Sequence, residues 1–167
     1  TGELYALGNI PSLKTAVPMP QARLYRLNLT TGAATLVGSG PFSTTIGDFG
    51  PMGFDFDPQN DLLNITNNAG ENIRVFPGNA TIASSFPVIA YADGTPGAVR
   101  LLETAWSNNF AGSTAPRLYG FNNALLGLVE VTPTSGQAFQ RHPSTPGPED
   151  ITGFDIADDG TPLLSGF

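Results

Sequence analysis

Cysteine is absent from this 167-residue chain, and lysine, histidine and tryptophan occur once each, at Lys14, His142 and Trp106. Without cysteine there is no disulfide, no thiol nucleophile and no thiolate metal site. A single histidine leaves zinc only carboxylates as further ligands. A Ser-His-Asp site would have to use His142, and no G-x-S-x-G elbow presents a serine to it. Charged residues make up 13% of the chain and sum to −7. That balance repels a phosphate backbone, so nucleic acid is not an expected partner. No apolar run approaches the roughly 20 residues of a spanning helix, so no membrane span is expected. A Gly-rich phosphate loop leading into a helix is also missing, which disfavours nucleotide chemistry. These absences favour a protein that is not an enzyme, with no catalytic residues assigned. A glycoside hydrolase ranks last, because 14 acidic residues supply carboxylates but the sequence pairs none of them.

What is abundant is glycine (20) and proline (15). Both disfavour helices, one by the entropy of ordering and the other by the missing N–H donor. Short apolar or alternating runs between turn signals read as an all-β ladder in a single domain, 1–167. Among them are ELYAL, RLYRLNL, AATLVG, MGFDFD, LLNIT, NIRVF, FPVIAY, LLETAW, RLYGF, LGLVEV, QAFQR, TGFDIA and PLLS. Glycine is expected at positive φ in Thr30-Thr31-Gly32 and Thr134-Ser135-Gly136, and Asp159-Gly160 reads as a hairpin turn. In Phe54-Asp55-Phe56-Asp57 the period of two puts the phenylalanines on one face and the aspartates on the other, which predicts a strand buried on one side only. Residues 8–22, 92–100 and 143–148 read as loops.

The ladder repeats. GFDFDPQNDLLNIT, from Gly53, returns as GFDIADDGTPLLSG, from Gly153, and Leu-Tyr pairs recur at Leu4-Tyr5, Leu24-Tyr25 and Leu118-Tyr119. The unit spans about four strands, the second running through NIRVF, FPVIAY, AWSNN and RLYGFN, and four antiparallel strands per repeat is the blade of a β-propeller. About three such units make an incomplete ring, and a two-sheet β-sandwich is the alternative. LYALG, RLYRLNLTTGAATLVG, GFDFDP, Gly70-Glu71-Asn72-Ile73-Arg74, RLYGFN and ITGFDIADDG resemble a group of secreted bacterial proteins, the domain of unknown function 4394 family. TTGAATLVG with GFDFDP is the specific part of the likeness. The resemblance implies a propeller-like, exported domain with no established activity.

In blade phase the C-terminal strands (151–167) look like the start of a unit whose remainder is the N-terminal segment (3–38). An open sheet edge is an association site. The expected function is therefore self-association into an oligomer or extracellular filament, by strand complementation between copies. Its interface residues would be Leu4, Tyr5 and Leu7 at one end and Phe154, Ile156, Leu163, Leu164 and Phe167 at the other. A closed symmetric dimer is the runner-up.

Asp55, Asp57 and Asp61 surround one turn, and Asp155, Asp158 and Asp159 surround its repeat. Hard oxygen ligands of this kind suit calcium, the one candidate cofactor; capping of the turns is the plainer use. The sequons at Asn28, Asn64 and Asn79 are candidate N-glycan sites in a secreted chain. Trp106, Tyr25 and Tyr119, with Asn108 and Asn109 nearby, are candidates for stacking on surface glycans, which makes a carbohydrate- or protein-binding module the alternative function. The chain opens on Thr1 rather than methionine, which is read as loss of a secretion signal and supports an extracellular location.

Overall fold

The structure is a computed structural model describing residues 3–10, 21–42, 52–96, 99–110, 112–122, 127–140 and 151–166. Fourteen strands and no helix occur among them, so the chain is all-β. The strands form four sheets in chain order. The first is β1 (Leu4–Ile10), β2 (Gln21–Leu27) and β3 (Ala34–Leu36). The second is β4 (Met52–Asp57), β5 (Leu62–Asn67), β6 (Asn72–Val75) and β7 (Ile82–Ser85). The third, in the order β8-β12-β11-β10-β9, holds β8 (Ala90–Tyr91), β9 (Leu101–Trp106), β10 (Leu118–Asn122), β11 (Gly127–Thr132) and β12 (Gln137–Gln140). The fourth is the hairpin of β13 (Ile151–Ile156) and β14 (Pro162–Gly166).

Neighbours in these sheets pair antiparallel except β8 with β12, which run parallel. The turn glycines do what the sequence asks: Gly32 (φ 71°), Gly136 (φ 68°) and Gly160 (φ 84°) all sit in the left-handed region. FPVIAY departs from its expected place as a full strand of the second unit. It yields only the two-residue β8, and its backbone crosses between sheets. The Phe86 and Ile89 N–H groups donate to Asn72 and Gly70 carbonyls, and the Ala90 N–H donates to Gly136 in the third sheet. The second sheet is accordingly complete at β7.

Two apolar cores follow from strand periodicity. Leu24 on β2 packs with Leu63, Ile65, Ile73 and Val75 of the second sheet, and Phe54 and Phe56 lean on the same cluster with Tyr5 and Leu7. Leu24, Leu63 and Val75 are fully buried, each such side chain contributing about 1.5–3 kcal/mol. The other core is Leu101, Leu118, Val129 and Val131 with Trp106. The opposite face of the second sheet corrects the expectation of one-sided burial. Asp57 and Asn72 are 1% exposed and Asn64 is 0% exposed, because the third sheet covers that face. The leading strands β4, β9 and β13 lie side by side, with β9 touching both of the others.

Candidate functional site

Among the described residues β1 and β14 lie at open sheet edges. Among the described residues β1 pairs only with β2, and β14 only with β13. The N- and C-terminal strands thus form separate sheets and do not complete one another within the chain. An edge strand presents a row of unpaired N–H and C=O groups, which is a template for another strand.

The interface residues divide into two kinds. Leu4 (46%), Leu163 (52%) and Leu164 (51%) are exposed large apolar side chains at those edges. Tyr5 and Leu7 instead turn onto the first core, and Ile156 is 7% exposed, so these three are packing residues rather than surface. Alternation along the strand sends every second side chain inward even where the backbone edge is open. Phe154 is half-buried, and Phe167 lies outside the described residues, as does His142.

The GFD aspartates form the other notable feature. On β4, the Trp106 N–H donates to Asp55 Oδ2 (2.6 Å), while the Phe56 N–H (2.7 Å) and Asn109 Nδ2 (3.2 Å) donate to Oδ1. Asp55 therefore clamps the end of β9 to the second sheet. Burial pushes its carboxyl up to about 6, the Trp106 and Phe56 N–H groups pull the other way, and the charge of Asp155 raises it again. Asp57 pairs with Arg74 Nη2 (2.8 Å) and caps its turn by accepting from the Gln59 N–H (2.9 Å) and Asn60 Nδ2 (2.9 Å). The Arg74 guanidinium lies 6.0 Å from the Trp106 ring centre and 5.3 Å from that of Phe86. Thr66 and Thr104 hydroxyls meet in the same seam at 3.4 Å. The Asn64 amide and the Trp106 indole N–H are buried there without a hydrogen-bond partner among the described residues. Glu103, next to Thr104 on β9, is pushed up to about 7 by burial.

On β13, Asp155 repeats only the local half of this arrangement. Its Oδ1 accepts the Ile156 N–H (2.8 Å), as Asp55 does from Phe56, but the side chain is exposed. Asp61, with φ 52°, closes the β4–β5 turn, and exposed Asp159 accepts the Thr161 N–H (2.9 Å) near exposed Asp158. Hydrogen bonding to Thr161 holds the Asp159 carboxyl below its ordinary value. Among the described residues no three acidic or histidine side chains converge in a way that could hold a metal ion.

Burial corrects two further expectations. Trp106 is 4% exposed and covered by the second sheet, so it offers no face to a sugar. Its neighbours are engaged as well, Asn109 with Asp55 and Asn108 Nδ2 with the Ala115 carbonyl (3.2 Å). Tyr25 and Tyr119 are half-buried. Asn64, at 0% exposure in the middle of β5, has no room for a glycan. Asn28 and Asn79 are exposed turn residues, and their side-chain oxygens accept the N–H groups of Thr30 (2.9 Å) and Thr81 (3.0 Å). No signal in the letters separates Asn64 from the other two, because burial of a strand's polar face depends on which sheet packs there.

No curated protein matches the chain. A family model does, over residues 1–165, and by that match the chain belongs to the family described as Domain of unknown function (DUF4394).

Proposed function

We propose that this is a secreted, non-enzymatic structural protein that self-associates by strand complementation. The β13–β14 hairpin of one copy adds to the free edge of β1 in the next. What supports the reading is the pair of open edges, on β1 and β14, together with the exposed Leu4, Leu163 and Leu164 beside them. The width also fits. Two strands joined to three make a sheet of five, as wide as the third sheet of the chain. Pairing satisfies the edge N–H and C=O groups and removes three leucines from water, the two gains that drive strand addition. Because donor and acceptor edges differ, the contact is head-to-tail, giving a propeller-like ring if it closes and an extracellular filament if it does not.

The test is light scattering and electron microscopy of the intact chain beside a variant lacking 162–167. Full-length chain is expected to form rings or filaments, and the truncated chain to stay monomeric with its strand signal retained in far-ultraviolet circular dichroism. A monodisperse monomer at high concentration of the full-length chain would refute the proposal.

A further inference from the structure

We infer that the seam between the second and third sheets holds ordered water, which bridges Asn64 to the Trp106 indole N–H and to Arg74 Nε. The site is interior and does not depend on self-association. Strand register places its residues. Asp55, Asn64 and Arg74 stand opposite one another on β4, β5 and β6, so their side chains share one face. β9 packs on that face: Asp55 accepts the Trp106 N–H at 2.6 Å, and the Trp106 ring centre lies 6.0 Å from the Arg74 guanidinium. Two residues along each strand, Thr66 and Asn72 stand opposite one another on the same face. There the Thr66 and Thr104 hydroxyls meet at 3.4 Å, and Asn72 Nδ2 donates to the Pro133 carbonyl at 2.7 Å. These contacts close the seam, and Asn64, Asn72 and Trp106 are all buried.

What lies inside is polar. Asn64 Oδ1 and Nδ2, Asn72 Oδ1, Arg74 Nε and Trp106 Nε1 are buried with no hydrogen-bond partner among the described residues. Buried polar atoms are nearly always bonded, and each one left bare costs the fold its full desolvation. The chemistry of the set selects the ligand. Asn64 Nδ2, Arg74 Nε and Trp106 Nε1 are donors, which turn a cation away, whereas Asn64 Oδ1 and Asn72 Oδ1 are acceptors. An anion is opposed by the carboxylates of Asp55 and Asp57 on the same face. Water both accepts and donates. One molecule that accepts from the Trp106 and Arg74 N–H groups and donates to Asn64 Oδ1 makes three bonds, about the usual number for a buried water. Asn64 Nδ2 and Asn72 Oδ1 suit a second. The bridge ties β5 and β6 of the second sheet to β9 of the third, where the direct contacts of Asp55 and Thr66 stop short.

The experiment is a crystal structure of the intact chain at a resolution that shows ordered water, together with thermal melts of wild type and Asn64→Leu at one protein concentration. Water density is expected within hydrogen-bond distance, about 3 Å, of Trp106 Nε1, Arg74 Nε and Asn64 Oδ1. Asn64→Leu keeps the side chain close in size but removes the acceptor that anchors the water. The Trp106 and Arg74 donors then lose their shared partner, and the melting temperature should fall by about 3–10 °C. In a dry seam the same substitution would remove an unpaired amide and raise the melting temperature. An unchanged or raised melting temperature would therefore overturn the inference. So would density showing Asn64, Arg74 and Trp106 bonded directly to one another, or an ion in the water's place. If Asn64→Leu does not fold, the wild-type density decides alone.

Discussion

Glu103 sits on β9 beside Thr104, whose side chain faces the second sheet, so alternation turns Glu103 the other way. Burial, with no compensating partner among the described residues, moves its carboxyl from the ordinary 4.5 to about 7. A carboxyl whose folded pKa exceeds its unfolded one binds its proton more tightly in the folded state. Stability therefore falls as pH rises through the window from 4.5 to about 7 and is level above it. Taken at full value the shift is worth about 2.5 kcal/mol between pH 5 and pH 8, at roughly 1.4 kcal/mol per pH unit, and because Glu103 is only half-buried, screening by water reduces this to about 1 kcal/mol. Asp55, displaced from 3.8 to about 6, acts in the same direction. Most of its window lies below pH 5, so its share over the same interval is about 1.5 kcal/mol. Urea titrations of the wild type and Glu103→Gln at fixed protein concentration, followed by circular dichroism from pH 5 to 8, separate the two contributions. The wild type should lose about 2.5 kcal/mol across the range and the variant about 1.5 kcal/mol, all of it below about pH 7. The comparison rests on slopes, so any cost of burying the glutamine amide cancels. Parallel pH profiles for the two proteins would refute the assignment.

Gly53→Ala is expected to destabilise by about 1–3 kcal/mol, since its new Cβ would sit 2.5 Å from Thr66 Oγ1, 2.7 Å from the Thr104 backbone nitrogen and against the Thr104 hydroxyl. Gly160→Ala meets no atom within 4 Å and should cost only the strain of positive φ, about 1–2 kcal/mol, in the same thermal melts. Arg74→Met strands Asp57 in a buried site and should cost about 3–5 kcal/mol by urea denaturation, part of which Asp57→Asn in the same chain restores.

The strands themselves were legible because their information is local. The pattern of Phe54-Asp55-Phe56-Asp57 sorts its side chains onto two faces, and the structure keeps that sorting, with the phenylalanines on the first core and Asp57 on the other face. Turn chemistry was equally local, as Gly32, Gly136 and Gly160 show. FPVIAY misled because an apolar run of strand length carries no statement about its partner. Here the partner is β12, whose Gln137 and Ala138 oppose Ala90 and Tyr91 from far along the chain. Trp106 misled for the same reason. A lone tryptophan beside polar residues looks like a binding surface until the preceding sheet, carrying Arg74, is laid over it.

Asp55 and Asp155 mark the limit of what such letters carry. Each follows Gly-Phe, each accepts its neighbour's N–H, and a period-two reading places both on the polar face of a strand. Yet one is raised to about 6 in a seam against β9 and the other lies open to solvent. The difference is the sheet that comes next, which for Asp55 is supplied by Trp106 and Asn109 of the same chain. A repeat writes the same residue at every unit, whether or not the chain supplies the neighbour that residue is shaped to meet. On the β13–β14 hairpin Asp155 keeps its local bond to the Ile156 N–H and gains no second one among the described residues.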